Sequence, residues 1–198
     1  MDNITGNRQL DAPWRLKENL DIVLGGAGGI SSWTALFLSR ANIDEKLTLH
    51  IFDNDHVEVH NVGGQLYSPI QSGQFKVDAV KSNIQFLCGE NSSLQIYPEL
   101  YTEKSITSHI MIGGFDNMKA RKIMYDNWLK ESANEIESIY SPLLIDGRLT
   151  AEQIQIFCVT PENCLEYSRK HLFHDSAVQD APCSFKQTSH LSGMIGSL

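Results

Sequence analysis

Several features of membrane-spanning, exported or disulfide-stabilised proteins are missing from this 198-residue sequence. No apolar run approaches the roughly 18 residues that cross a bilayer, and the N-terminus lacks the basic start and apolar stretch of a secretion signal. The four cysteines are scattered without paired spacing, which favours reduced thiols over a disulfide framework. We therefore expect a cytoplasmic protein without a membrane anchor.

Clustered positive charge is also scarce. The chain has 16 Lys and Arg against 24 Asp and Glu, a formal net charge of −8, and no basic cluster suited to phosphate backbones. We expect no nucleic-acid partner. The hydrophobic share of 41% is that of an ordinary folded protein, and no repeat, low-complexity run or linker divides the chain. We predict one domain over residues 1–198.

The first half of the sequence has the pattern of a nucleotide-binding fold. An apolar strand, DIVL at residues 21–24, runs into the Gly-rich turn GGAGGISS and then into a helix. A second strand, at residues 47–52, ends at Asp53, so the helix between them suits a right-handed parallel crossover. The predicted fold class is α/β, a Rossmann-like doubly wound and mostly parallel sheet with a later antiparallel portion.

The remaining elements follow from periodicity and turn residues. We predict helices at 75–87 and after GGFDN, with Ala120, Ile123, Met124 and Trp128 striping the latter. We expect residues 1–20 to form an N-terminal arm, 55–72 a loop and 160–182 a long loop. The other predicted strands lie at 94–100, 110–112, 142–145 and 153–159, the last of them antiparallel.

The Gly-rich turn is the first candidate site. Gly26, Gly28 and Gly29 allow backbone N–H groups to approach phosphate oxygens at a helix N-terminus, where the dipole favours negative charge. The alternative is a tight strand-to-helix turn without a ligand. Ser31 stands where the third Gly of a dinucleotide fingerprint would lie, which weakens a plain NAD interpretation.

Polar residues after other strands are further candidates. Asp53 can accept both hydroxyls of a ribose, or it is a turn residue helped by its neighbours. Asp116 and Asn117 follow another strand, where they bind a ligand or cap the next helix. Lys76, in the first turn of its helix, invites an anionic partner, although a solvated surface Lys has the same signature.

A zinc site is conceivable but poorly supported. Thiolate and imidazole are the usual zinc ligands, yet the spacing of the available side chains matches no compact metal motif, and we do not expect zinc. Those side chains are Cys164, His171, His174 and Cys183.

Taken in order, five segments resemble the ThiF/MoeB/HesA family of ubiquitin-activating-enzyme-like adenylyltransferases. The resemblance spans nearly the whole chain, and its specificity lies in the ordered set. The form with IDGR and AEQIQIF, at residues 145–157, is similar to short phage- or plasmid-borne versions. The five segments are GAGGIS at 26–31, FDNDHVEVHNVGGQLY at 52–67, GQFKVDAV at 73–80, FDNMKAR at 115–121 and PCSFKQTSHLSGMIGSL at 182–198.

The resemblance implies a function and a set of roles. Such proteins use MgATP to adenylate the C-terminal carboxylate of a small ubiquitin-like or sulfur-carrier protein. Arg8, in NRQ, would enter the partner subunit's site and so implies a homodimer. Cys183 would receive the acyl group, although an unreactive loop cysteine is the competing interpretation. The nucleotide-contacting set would be Gly26, Gly28, Gly29, Asp53, Asp55, Asn61, Gln65, Lys76 and Asn117, with Asp116 positioning Mg²⁺.

Three departures from the family pattern keep other functions open. Gly64 stands where the family usually has an Arg, which puts catalytic power in doubt. Paired Cys-x-x-Cys zinc motifs are absent, and the sequence stops where relatives continue their final helix. The alternatives are a non-catalytic nucleotide-binding interaction module, an NAD-linked oxidoreductase, or adenylation of a carboxylate on a small molecule or modified tRNA.

Overall fold

The chain folds around a six-stranded sheet. The computed structural model describes residues 16–42, 45–89, 93–134, 139–149, 153–174 and 189–198. Its strands are β1 Leu20–Gly25, β2 Leu47–Phe52, β3 Leu94–Tyr97, β4 Ile110–Gly113, β5 Leu143–Leu149 and β6 Ile154–Val159. Its helices are α1 Ser31–Ala41, α2 Lys76–Cys88, α3 Met118–Ser132, α4 Cys164–His171 and α5 Ser189–Ser197, with short 3₁₀ turns at Val59–Asn61 and Pro69–Gln71.

The strand order is β3-β2-β1-β4-β5-β6. Strands β1 to β5 are parallel, and β6 pairs antiparallel with β5. The predicted class is confirmed, including the late antiparallel strand. Because β1 lies between β2 and β4, the strand order reverses beside it, and the carboxyl ends of these strands flank the crevice where such sheets bind ligands.

Both faces of the sheet are covered, as expected for parallel strands. Ile22 and Leu24 of β1 point to one face and join Ala35 of α1 and Val80 of α2 in one buried cluster. On the other face, β1 contributes Val23 to a second cluster. That cluster also contains Met124, Tyr125 and Trp128 of α3 and Tyr167 of α4.

Several sequence-based boundaries were wrong. The third predicted strand stops at Tyr97 rather than residue 100, and the fifth continues to Leu149 instead of ending at 145 because β6 pairs with it throughout. The arm predicted to end at residue 20 ends earlier, since Leu20 already belongs to β1. The predicted loop at 55–72 includes the two 3₁₀ turns.

The predicted long loop at 160–182 contains helix α4. The Asn163 side chain accepts a hydrogen bond from Thr160 N–H at 2.8 Å and donates one to Cys158 O at 3.0 Å. Cys164 and Tyr167 are buried against the sheet. Tertiary packing of only two apolar positions supports this short helix, which explains why periodicity missed it. Residues 175–182 of the predicted loop lie outside the described ranges.

The buried face of α3 also differs from the predicted one. Met124 and Trp128 are buried, but Ala120 and Ile123 are only half-buried. Polar Arg121 and Asn127 occupy the buried face instead.

Among the described residues, no helix has the length and apolar character needed to cross a membrane.

Candidate functional site at the carboxyl edge of the sheet

The Gly-rich turn joins β1 to α1 at the carboxyl edge. Gly26 has φ +81°, a conformation that favours glycine, and its N–H donates to Phe52 O at 2.9 Å. Gly25 O accepts from Gly114 N–H at 2.8 Å, so the turn is fastened to the ends of both β2 and β4. A ligand that reaches the N-terminus of α1 would meet a fixed set of backbone donors.

The glycines of this turn have different surroundings. A Cβ on Gly28 would meet nothing within 4 Å, so this position opens to space that a ligand can approach. A Cβ on Gly29 would lie 2.9 Å from Ser192 Oγ of α5, so this glycine lets the last helix pack closely. Gly25, which was not among the predicted site residues, leaves room for the ring of Phe115.

Asp53 is hydrogen-bonded to the turn. Its Oδ2 accepts from Ala27 N–H and its Oδ1 from Asp55 N–H, both at 2.7 Å. Desolvation by burial raises the pKa of Asp53 above its ordinary value, although these two hydrogen bonds and the charge of Lys76 oppose the shift. The carboxylate therefore holds the turn in shape, and its remaining lone pairs are available to a ligand hydroxyl.

Lys76 and Asp55 lie beside Asp53. Lys76 Nζ is 2.9 Å from Asp55 Oδ2, and Lys76 N–H donates to Asp55 O at 2.8 Å. The Lys76 side chain is 11% exposed and the Asp55 side chain 58%. A largely buried ammonium whose partner faces solvent can turn toward an anion that displaces the carboxylate. The alternative that Lys76 is an ordinary solvent-exposed lysine is therefore wrong.

The 61–67 segment lies against the turn, and its members differ in role. Asn61 is buried, and its Oδ1 accepts from Glu58 N–H at 2.9 Å, so that oxygen has a local structural use. Gln65 Oε1 is buried without a hydrogen-bond partner within the described ranges, which leaves an acceptor for a ligand donor.

Tyr67, which sequence reasoning did not single out, also fastens the turn. Its hydroxyl donates to Ala27 O. Burial raises the pKa of Tyr67 well above its usual range, with Asp53 and Asp55 adding to the shift, so the hydroxyl keeps its proton.

Asp116 and Asn117 follow β4 on the same edge. Asn117 caps α3, since its Oδ1 accepts from Ala120 N–H at 2.8 Å. Its side-chain amide also donates to Asp116 Oδ1 at 3.1 Å. Both residues are exposed, so Asp116 presents a carboxylate to solvent at the strand end, where a divalent cation could be held.

A buried charge network behind Asp116 was not found from the sequence. Asp146 accepts hydrogen bonds from Arg121 Nη1, from Arg148 Nε at 2.7 Å and from the Tyr167 hydroxyl at 2.8 Å. Arg121 also donates to Phe115 O, adjacent to Asp116. The FDNMKAR and IDGR segments contain the charged members, but nothing in their spacing indicates that they meet.

Two predicted residues, Arg8 and Cys183, lie outside the described residues. The other zinc candidates, Cys164, His171 and His174, form no metal-ligating group in the described part of the chain. Cys164 is buried and donates to Pro161 O at 3.2 Å, and His171 lies against the ring of Phe157. In the described part of the chain, no group of three or more His, Cys, Asp or Glu side chains is placed to hold a metal ion.

Comparison with known proteins identifies a family. The model of the ThiF family matches residues 12–194, which is most of the chain. The chain belongs to the ThiF family. The sequence-based family assignment is therefore confirmed.

Curated relatives of this ThiF family member share a name. Ubiquitin-like modifier-activating enzyme 5 of Dictyostelium discoideum is 30% identical over 166 residues, which cover 72% of this chain and 42% of that protein. The enzyme of the same name from Bombyx mori is 38% identical over 64 residues, 32% of this chain and 16% of that protein. The chain thus spans less than half the length of these relatives.

Solved structures share the fold. Escherichia coli MccB with MccA-N7isoASN gives a TM-score of 0.69 at 15% identity and covers 90% of this chain and 55% of that chain. PaaA gives 0.60 at 21% identity, with 89% and 53% covered. E. coli tRNA N6-threonylcarbamoyladenosine dehydratase gives 0.56 at 15% identity, with 90% and 82% covered. At such identities the likeness shows the fold alone.

Proposed function

We propose that this ThiF family member uses ATP to adenylate the C-terminal carboxylate of a small ubiquitin-like or sulfur-carrier protein. The observation that carries the proposal is the hydrogen-bonded unit at the carboxyl edge. In that unit the Gly-rich turn, Asp53 and the Asp55–Lys76 pair are joined by contacts of 2.7 to 2.9 Å. A triphosphate needs such a combination of backbone donors, a cation and a ribose acceptor.

Roles for the side chains follow from their surroundings. Gly26 and Gly28 would let the phosphates approach the α1 N-terminus, and Asp53 would accept from the ribose. Lys76 would exchange Asp55 for a phosphate oxygen. Asp116 would hold Mg²⁺, which supplies positive charge to neutralise the phosphate chain when bound. The open space at Gly28 and the exposed Asp116 carboxylate fit that group.

The chemistry is a displacement at the α-phosphorus. A carboxylate oxygen of the partner attacks, the new O–P bond forms as the bond to the bridging α,β oxygen breaks, and the electron pair leaves with pyrophosphate. The products are an acyl-adenylate and pyrophosphate. No proton is removed, so the residues act by positioning and by stabilising charge, which matches a site rich in N–H donors and a cation.

Names of relatives support the partner class. The curated relatives are called ubiquitin-like modifier-activating enzymes, and MccB has been crystallised with ATP and with MccA. A homodimer completed by Arg8, acyl transfer to Cys183 and a cytoplasmic location stay predictions.

Pyrophosphate exchange tests the proposal. The protein is incubated with Mg²⁺, ATP, labelled pyrophosphate and a panel of ubiquitin-like proteins, and label is followed into ATP. Lys76→Ala and Asp116→Ala should lower exchange by roughly 100-fold or more, because the first removes a cation beside the phosphates and the second removes the carboxylate that would hold Mg²⁺. Lys81→Ala, on the same helix, is the matched control and should keep wild-type exchange. Full exchange in Lys76→Ala would refute the assigned site.

A second candidate is a nucleotide-binding module without catalysis. Gly64 replaces the Arg expected from the family, and its carbonyl lies near Gly29, 3.8 Å from a Cβ built there. The cation that would sit beside the phosphates from this segment is therefore absent. Saturable ATP binding without exchange for any partner would favour this candidate. In that case Gly64→Arg is the informative variant, since it supplies the missing charge.

A further inference from the structure

The loop at residues 114–117 joins β4 to α3 and carries Asp116, the carboxylate that would hold Mg²⁺ in the proposed function. Phe115, the residue before Asp116, is anchored in two ways. Its ring occupies the space left free by Gly25 at the end of β1. Its carbonyl accepts a hydrogen bond from Arg121 Nη2. Phe115 is therefore fixed both against the Gly-rich turn and against α3.

The carbonyl of Phe115 belongs to the same peptide unit as the N–H of Asp116. Because a peptide unit is planar, a hydrogen bond that holds this oxygen also fixes the direction from the amide nitrogen to the Cα of Asp116. On the other side, Asn117 caps α3 by accepting from Ala120 N–H at 2.8 Å. The exposed Asp116 carboxylate thus lies on a backbone that is held before and after it.

Arg121 can hold the Phe115 carbonyl because its own guanidinium is held. Its Nη1 donates to Asp146 Oδ1 and, at 3.0 Å, to Gly147 O of β5. Asp146 Oδ2 accepts in turn from Arg148 Nε at 2.7 Å and from a tyrosine hydroxyl of α4 at 2.8 Å. The planar guanidinium presents its donors in a rigid fork, so one side chain joins the end of β5 to the Asp116 loop in a single geometry.

On the basis of the function proposed above, we propose that Arg121 is a positioning residue, which orients Asp116 toward a divalent cation through the Phe115 carbonyl. Asp146 fixes the guanidinium that does so. Loss of a group that orients a metal ligand typically lowers metal affinity by about 10- to 100-fold. Within the part of the chain that the structure describes, the hydrogen bonds of Arg121 go to protein oxygens. Its loss should therefore weaken the metal site and leave metal-free nucleotide binding unchanged.

Arg121→Met tests the proposal, because methionine is long and flexible but carries no N–H donor. Asp146 keeps Arg148 at 2.7 Å as its cation, so the buried carboxylate stays compensated. The probe is α,β-methylene ATP, which cannot release pyrophosphate, titrated calorimetrically with saturating Mg²⁺ and with EDTA. The factor by which Mg²⁺ tightens binding should fall about 10-fold in Arg121→Met. The affinity measured in EDTA should equal that of the wild type.

A double-mutant cycle separates positioning from general destabilisation. If Arg121 acts through Asp116, Arg121→Met should change little in a protein that already carries Asp116→Ala, so the two losses should not add. Arg148→Met is the matched control, since Arg148 pairs with the same carboxylate but donates its other hydrogen bond to His171 O of α4. This control should keep the wild-type Mg²⁺ factor. A wild-type factor in Arg121→Met, or additive losses in the double variant, would overturn the proposal.

Arg121→Lys is a second variant, which keeps a positive charge opposite Asp146 if the neutral side chain prevents folding. An ammonium is a point charge without the rigid fork, so it cannot hold Asp146 and the Phe115 carbonyl in the observed geometry. The Mg²⁺ factor should therefore fall in this variant as well, while urea unfolding verifies that the protein is folded during the titration. Full recovery of the factor by Arg121→Lys would show that charge alone suffices, which contradicts a positioning role.

The two proposals fail separately. A reduced Mg²⁺ factor in Arg121→Met, without pyrophosphate exchange in the wild type for any partner, would retain the positioning role and reject adenylation. Partner-dependent exchange in the wild type, with an unchanged Mg²⁺ factor in Arg121→Met, would retain adenylation and reject positioning. If Mg²⁺ does not tighten nucleotide binding even in the wild type, the metal role of Asp116 and the positioning role of Arg121 are both rejected.

Discussion

Asp146→Asn should be one of the most destabilising single substitutions in the described part of the chain. The Asp146 side chain is 3% exposed and lies between Arg121 and Arg148, which are 8% and 13% exposed. Removing the negative partner of a buried ion pair costs about 3–5 kcal/mol, because the guanidinium charges stay buried without compensation. Burial lowers the pKa of Arg121, with Arg148 adding to that effect, whereas the charge of Asp146 opposes it.

Urea unfolding followed by far-UV circular dichroism measures this loss. With an m value of about 1–3 kcal/mol/M, the midpoint should fall by roughly 1–5 M. Asp126→Asn is the control, since Asp126 forms an exposed pair with Lys122 at 2.9 Å, and should change stability by about 0–1 kcal/mol. An Asp146→Asn variant whose stability stays within about 1 kcal/mol of the wild type would show that the buried ion pairs with Arg121 and Arg148 do not stabilise the fold.

Three further predictions concern the turn and the last helix. Gly196→Ala should lower the free energy of unfolding in urea by about 1–3 kcal/mol, because the added Cβ would meet the backbone of α1. Gly193→Ala is the control and should have no such effect, since a Cβ there meets nothing within 4 Å. Equal effects of the two substitutions would contradict this packing of α5 on α1. Because the pKa of Asp53 is raised, the native state binds this proton more tightly than the unfolded state does. The free energy of unfolding of the wild type, relative to that of Asp53→Asn, should therefore fall as the pH rises from 3.8 through the raised pKa. Urea unfolding of both proteins at several pH values measures this difference in stability. If the difference rises with pH in that window, hydrogen bonding to the Asp53 carboxylate outweighs its desolvation. Tyr67→Phe leaves Ala27 O unpaired and should cost about 1–3 kcal/mol by thermal unfolding, and an unchanged Tm would rule out that hydrogen bond.

Local signals predicted the part of the site nearest the turn. The order of strand, glycines and helix, and the position of Asp53 after β2, place these residues at one edge because parallel strands align their carboxyl ends. The sequence also identified Lys76 as a candidate. Its ion pair with Asp55 was not predicted, because it forms only when the connection between β2 and α2 brings the start of α2 back to the end of β2. The capping alternative for Asn117 is the arrangement observed, which does not prevent its neighbour Asp116 from binding a cation.

Periodicity failed where polar groups are buried or elements are short. On α3 it selected Ala120 and Ile123, because it could not foresee that Arg121 would be buried with a partner from β5 and Asn127 with one from the β3–β4 loop. Helix α4 went unrecognised because eight residues with two buried apolar positions give almost no helical signal.

The sequence by itself determined the alternation of strands and helices, the parallel sheet and the glycine-lined opening, because these depend on local backbone freedom and on the spacing of apolar residues. Tertiary structure alone decided which charges meet. Asp146 contacts Arg121, 25 positions earlier, and Tyr167, 21 positions later, and Ser192 lies against Gly29. Such contacts follow from how layers pack, and packing energy is a property of the assembled core rather than of any segment.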